Sequence, residues 1–554
     1  MKTKPIHLLL IVMGMLLIFP SNIGTARISA WTEPDNLSGW QDGLSPPWLL
    51  VGEDGTQAIF WIHYDFTNTR EAVWGRVRPP GGEWSTAKDI FGWRDFNDVL
   101  PQFGITLDGK VWAVTVMPDT SKSGDNIQVK AAGWLDIDKW EIDILSDYES
   151  EVRDLDLSTG PEGHMAITWV ACATSTSEDQ GPCDVRVQRR KPNASLWEPL
   201  DGSVDTAVTG VLDARSLVGH EGMVVTTWAE YSQTTEYEWH VMSSAFDPGL
   251  KTWEFPPKDI SAGGFKLGMD PFLAEPVIGS DGTVIVGWYA RHPSQPNKSK
   301  LLVVTRHGNP DIWSPPVTIG DYHIPSGDNP FRLAIGGDGT AVAAWVQRHD
   351  SASKNAVYAN QRDPGGTWLS NSTRVTNWNE KIALAEPQVW PDGSSLLLWK
   401  VVDNGRPVSE SQTIFWSALA PKGAWGDLGG GQLGSWYREV FSVDLAAAKD
   451  GSVTAVWGIE DTSQPPGEYA GAMAANWKPG LGNVLVSTLT TGYHSVYLSE
   501  DGVAIKPDGS PAAAWDATKY FNNPNPTAMD AAFYVIGTAG AYPNYLPLVV
   551  KSAN

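Results

Sequence analysis

At nine places along the 554 residues an Asp-Gly or Glu-Gly turn at a regular spacing is followed by a short apolar run. The glycines are Gly55, Gly109, Gly163, Gly222, Gly282, Gly339, Gly393, Gly451 and Gly509, spaced 54 to 60 residues apart. Six residues after eight of them stands a tryptophan: Trp61, Trp169, Trp228, Trp288, Trp345, Trp399, Trp457 or Trp515. The second repeat carries Thr115 there and Trp112 earlier. A self-similar unit of this length, made of short apolar runs and tight turns, is the sequence of one four-stranded propeller blade.

The fifth repeat gives the plan. Pro276 to Gly279 reads as a first strand, and Asp281-Gly282 as a hairpin turn in which glycine supplies the positive φ. Thr283 to Tyr289 is nearly all apolar, as in a strand buried on both faces. A polar loop, His292 to Lys300, leads to a third strand from Leu301 to Arg306 and a fourth from Val317 to Ile319. A second tryptophan opens the fourth strand at Trp84, Trp140, Trp197, Trp253, Trp313, Trp368, Trp425 and Trp477. The last repeat lacks one, while Trp31 stands alone near the N-terminus. An N-terminal strand that completes the last blade leaves no open sheet edge. The expected fold is all-β: a single nine-bladed propeller over residues 31–541, with an eight-bladed ring and one degenerate repeat as the alternative.

Residues 1–30 read as a signal peptide. Lys2 and Lys4 precede an apolar stretch from Leu8 to Phe19, too short for the roughly 20 residues that span a bilayer. The expectation is a secreted or cell-surface protein, without a membrane span in the mature chain. The tail, 542–554, contains Tyr545-Leu546-Pro547-Leu548-Val549-Val550, a sorting strand or one more edge strand. With 64 acidic against 40 basic residues, the chain is a poor partner for nucleic acid or anionic lipid. Cys172 and Cys183 fall in one expected loop, and in an oxidising compartment they form a disulfide. No cofactor or metal is expected. Asp136-Ile137-Asp138 and Asp154-Leu155-Asp156 lack the spacing of a calcium loop.

The turn Asp363-Pro364-Gly365-Gly366-Thr367-Trp368 resembles the Asp-box, Ser/Thr-x-Asp-x-Gly-x-Thr-Trp, of sialidase-like (BNR) propellers. Asp247-Pro248-Gly249 with Thr252-Trp253 is similar, with one extra residue, and Gly81-Gly82-Glu83-Trp84 is a worn copy. In the sixth repeat Arg332, the Asp338-Gly339 turn, Arg348 and Asp350 are similar to the first blade of sialidases. The resemblance implies that Arg332 and Arg348 hold a substrate carboxylate and that Asp350 is a general acid. The sequence departs from the family pattern in Leu333-Ala334, where sialidases carry Ile-Pro, and offers no assignable Tyr/Glu pair.

Alternating strands put the blade-to-blade loops on one face, together with the loops between second and third strands. The blade-to-blade loops place an aromatic beside polar groups in eight of nine repeats. Rings beside hydrogen-bonding side chains suit sugars, whose C–H faces pack on aromatics. Rings this regular also suit wedges between blades. Sites break symmetry, so the richer loops are the ligand candidates: Trp93-Arg94-Asp95 and Trp436-Tyr437-Arg438-Glu439, joined by Arg291, His292 and His349. The function expected is binding of a glycan or an extracellular protein on this face. The alternatives are a sialidase-type glycoside hydrolase and a non-catalytic scaffold. The oligomeric state is not legible.

Overall fold

The computed structural model describes residues 31–537 except 42, 98, 119–126, 137–138, 147–148, 173–181, 195, 200–207, 233–237, 263–272, 293–294, 308–311, 324–330, 349–353, 378–380, 461–469, 481–483, 500 and 522–526. The expected signal peptide and C-terminal tail lie outside the described residues.

Nine antiparallel sheets form the nine blades of one β-propeller. Blade 1 contains Trp48–Val51, Gln57–Asp65, Arg70–Arg78 and Lys88–Asp89, hydrogen-bonded in that order from the inside outward. Blades 2 to 8 repeat the plan. Blade 9 contains Ser495–Tyr497 with Val503–Ile505, then Pro511–Phe521 and Thr527–Ile536. Its outermost strand comes from the other end of the chain: Asp35 pairs with Tyr534, Asn36 with Phe533, and Trp31 bridges Gly537.

The repeated turns are built by one device. Each repeat glycine has a φ between 78° and 93°, a region that side chains with a Cβ rarely adopt. In six blades the aspartate before the glycine accepts a hydrogen bond from a backbone N–H two residues on, as Asp54 does from Thr56 at 2.8 Å. The others are Asp281 with Thr283, Asp338 with Thr340, Asp392 with Ser394, Asp450 with Ser452 and Asp508 with Ser510. The hydroxyl of the same Ser or Thr donates to that aspartate as well. The aspartates are therefore employed locally, in fixing the hairpin.

The repeat tryptophans fill the spaces between blades. Trp61, Trp228, Trp288, Trp345, Trp457 and Trp515 are sealed from solvent, and each hydrophobic cluster joins two neighbouring blades. Trp345 of blade 6 presses on the outer strand of blade 5 at Gly320, where an added Cβ would come within 2.5 Å of the indole. In blade 2 Trp112 takes over, its indole edge-on to Trp197 at 5.5 Å.

The innermost strands also tie blade to blade through one repeated position, seven residues before the turn glycine. Asp156 of blade 3 accepts the Ser216 N–H of blade 4 at 2.8 Å, and Asp444 of blade 8 accepts the Val503 N–H of blade 9 at 2.7 Å. Arg332 of blade 6 meets Glu386 of blade 7 at 3.5 Å.

Three local expectations change. The polar loop expected over 292–300 is largely strand, because the third strand of blade 5 runs from Gln295 to Arg306. Trp477 closes the third strand of blade 8, opposite Val453, instead of opening the fourth. Cys172 and Cys183 end adjacent strands as a directly opposed pair, joined by the expected disulfide.

Candidate functional site

The second strand of blade 1 ends at Tyr64-Asp65 and turns back at Arg70. Asp65 organises this turn: it accepts the Asn68 N–H at 3.1 Å, the Asn68 side-chain amide at 2.7 Å and Arg70 Nη2 at 3.0 Å. Those bonds, from Asn68 first and Arg70 next, hold its carboxyl down to about 2, so it stays charged at any working pH. Phe66 then leaves the strand over Gly43, whose missing Cβ would stand 2.5 Å from the Phe66 ring.

The link from blade 1 to blade 2 returns to the same place. Arg94–Asp95 forms a short strand against Glu71 and Arg70, and Phe96 N–H donates to the Thr69 carbonyl at 3.3 Å. Three rings thereby gather, with centroids 5.8 Å apart for Tyr64 and Phe66, 5.9 Å for Tyr64 and Phe96, and 6.0 Å for Phe66 and Phe96. Trp93 stands on the other face of the same hairpin, 5.2 Å from His63 and under the Arg70 guanidinium at 5.4 Å. Phe66 is 68% exposed, Phe96 41% and Trp93 37%. The result is an aromatic ledge at the rim of the blade, with open rings on both faces of the hairpin and with Asp65, Asn68, Arg70 and Asp95 beside them.

Beneath it lies a sealed ion pair. Arg94 is 3% exposed and meets Glu71 at 2.6 Å. Its guanidinium also donates to the carbonyls of Val116 and Val99 in blade 2. Burial lowers the Arg94 pKa and Glu71 opposes the shift; burial and then Glu71 raise that of the Tyr64 hydroxyl. Arg94, expected from the sequence to meet a ligand, is the bolt that holds the ledge to the neighbouring blade. Trp93 and Asp95 are at the surface. Phe66 and Phe96 escaped the sequence reading, although two phenylalanines in otherwise polar loops were the available signal.

The second expected loop is differently built. The Arg406 guanidinium covers the Trp436 ring at 3.9 Å, Tyr437 is buried, and Arg438 is bonded to Glu460 at 2.9 Å. Glu439 stands opposite Glu460 in the ladder. Trp436 is thus a closely capped ring, whereas Phe66 is an open one. Other linker aromatics wedge between blades: Trp40 lies 6.2 Å from Tyr493 and 5.8 Å from Phe533.

Arg348 is exposed at the end of the second strand of blade 6, while Arg332 sits on the innermost strand, engaged with Glu386. His349 and Asp350 lie outside the described residues. Arg291 and His292 end the second strand of blade 5, and their side chains are outside the described set. A small cavity lined by Asp156, Arg215, Ser216 and Pro276 opens on the inner strands of blades 3 to 5. Among the described residues no three His, Cys, Asp or Glu side chains gather as metal ligands.

No protein-family model and no curated protein matches the chain. Among solved structures it is similar to an ulvan lyase of a polysaccharide lyase family, at 10% identity over 74% of this chain and 96% of that one, with a TM-score of 0.38. It is also similar to a Hadza microbial sialidase, at 15% identity over 60% of this chain and 70% of that one, TM-score 0.32. An α-L-arabinofuranosidase from Fusarium graminearum aligns at 12% identity over 58% of this chain and 92% of that one, TM-score 0.29. At such scores the nine-bladed architecture rests on the chain's own sheet topology.

Proposed function

We propose that this chain is an exported glycan-binding propeller, and that the ledge formed by Trp93, Phe96, Phe66 and Tyr64 is its binding surface. The observation that carries the reading is the ledge itself: open rings mounted on a buried ion pair and edged by a fixed carboxylate, amide and guanidinium. Sugar C–H faces pack on the rings while hydroxyls bond to Asp65, Asn68, Arg70 and Asp95. Rigid mounting keeps the ordering cost of binding low. The ledge is open above, a shape that admits an internal stretch of a polysaccharide. Export is supported by the apolar N-terminal segment and by the Cys172–Cys183 pair.

The test is retention of the purified mature chain on immobilised glycans, beside a Phe66→Ala and Trp93→Ala double variant. The expected result is retention on a restricted set of polysaccharides by the wild type and its loss in the variant. Equal retention by the two folded proteins, or none by the wild type, would overturn the reading.

A further inference from the structure

Two guanidinium groups lie on the blade 1 ledge, those of Arg70 and Arg94, and each is already matched to a carboxylate. Arg94 is sealed against Glu71 at 2.6 Å. Arg70 meets Asp65 at 3.0 Å, and Asp65 keeps its charge because its carboxyl is held down to about 2. An incoming carboxylate or sulfate would have to displace Asp65 to reach Arg70.

One charge is left over. Asp95 is exposed, and its carboxylate has no ion-pair partner among the described residues. The ledge thus sets three carboxylates, Asp65, Glu71 and Asp95, against two guanidinium groups. On the blade 9 side, the loop that Phe66 covers at Gly43 is held by a further carboxylate, Asp530, which accepts the Leu44 N–H at 3.2 Å. The chain's net charge of −24 adds repulsion of the same sign.

Hydrogen-bond polarity points the same way. An ionised carboxylate only accepts, so Asp65 and Asp95 call for donors. Sugar hydroxyls supply them, whereas a uronate or sulfate group brings more acceptors. Seating such a group beside Phe66 and Phe96 would also remove its water without a countercharge, and an unpaired charge taken out of water is costly.

On the reading of the ledge as a glycan-binding surface, we infer that it takes hydroxyl-rich polysaccharides that carry no carboxylate or sulfate groups, and that it turns polyanionic ones away. Rings and acceptors hold the neutral chain, and the unpaired Asp95 carboxylate discriminates against the charged one.

The experiment measures retention of the mature chain on immobilised polysaccharides at low and at physiological salt. Glucan, xylan, mannan and galactan are the neutral members; polygalacturonate, alginate and a sulfated galactan are the anionic ones. Methyl-esterified polygalacturonan serves as the uncharged twin of polygalacturonate. Wild-type protein is run beside Asp95→Asn, a near-isosteric change at an exposed position, with circular dichroism to check folding. The expected result is retention on one or more neutral members and about tenfold or more weaker retention on the anionic ones at low salt. The gap should narrow at physiological salt, where surface charges are screened, and the neutral-to-anionic ratio should fall in Asp95→Asn. An anionic member held as tightly as the neutral ones, or an unchanged ratio in Asp95→Asn, would overturn this selectivity and leave the glycan-binding surface standing. Retention on no polysaccharide would remove the surface itself, and the selectivity with it.

Discussion

Glu71 and Arg94 meet at 2.6 Å beneath the aromatic ledge, with both side chains closed to solvent. Removing one partner leaves the other charge buried without compensation, at a cost of about 3–5 kcal/mol. Glu71→Ala is therefore expected to lower the urea midpoint strongly, whereas Asp95→Ala, at the surface of the same link, should shift it little. Equal midpoints for Glu71→Ala and the wild type would show that the pair does not anchor the ledge.

Gly320 and Trp345 make a second structural prediction. An added methyl at Gly320 would meet the indole at 2.5 Å, and overpacking of this kind costs about 1–3 kcal/mol. Gly320→Ala should lower the melting temperature, and Gly320→Ala with Trp345→Phe should recover part of the loss. A glycine substitution that leaves melting unchanged would contradict the wedge.

Asp516 sets a pH dependence whose sign follows from its raised pKa in the folded state. The folded chain holds this proton to a higher pH than the unfolded chain does, so the group costs stability as pH rises above the ordinary carboxylate range near 4. Asp516→Asn removes that cost. Its melting temperature should match the wild type near pH 4 and exceed it increasingly toward neutral pH. A stability difference that does not change with pH would contradict the assignment.

The disulfide closes a hairpin between strands separated by 11 residues in sequence. By chain entropy such a link contributes roughly 2–3 kcal/mol. Melting of the Cys172→Ser/Cys183→Ser variant beside the wild type measures it directly. A drop in melting temperature is expected, and none would show that the strand pairing alone suffices.

Much of the fold was legible because it is periodic: the turn glycines and the buried tryptophans recur at fixed spacing, and nine turns became nine blades. Ring closure was legible from one displaced tryptophan, Trp31. The site was less so. Arg94 and Glu71 are 23 residues apart in sequence and carry no motif, so only the strand pairing shows that Arg94 is buried. Trp436 and Trp93 look alike in sequence and each lies under an arginine, but Arg406 sits at 3.9 Å on a half-buried Trp436 while Arg70 stands off at 5.4 Å from an exposed Trp93. Phe66 and Phe96 reach each other across two loops, a contact no local pattern encodes. Asp516 is buried by strand packing, which no local pattern around it encodes.

The most direct test of the central claim is equilibrium binding of the retained polysaccharide to Phe66→Ala and, separately, to Trp436→Ala. Loss of one open ring should weaken binding about tenfold, at about 1.4 kcal/mol per tenfold change, while loss of the ring already capped by Arg406 should leave affinity unchanged. Wild-type affinity in Phe66→Ala together with lost affinity in Trp436→Ala would contradict the account and move the binding surface to blades 7 and 8.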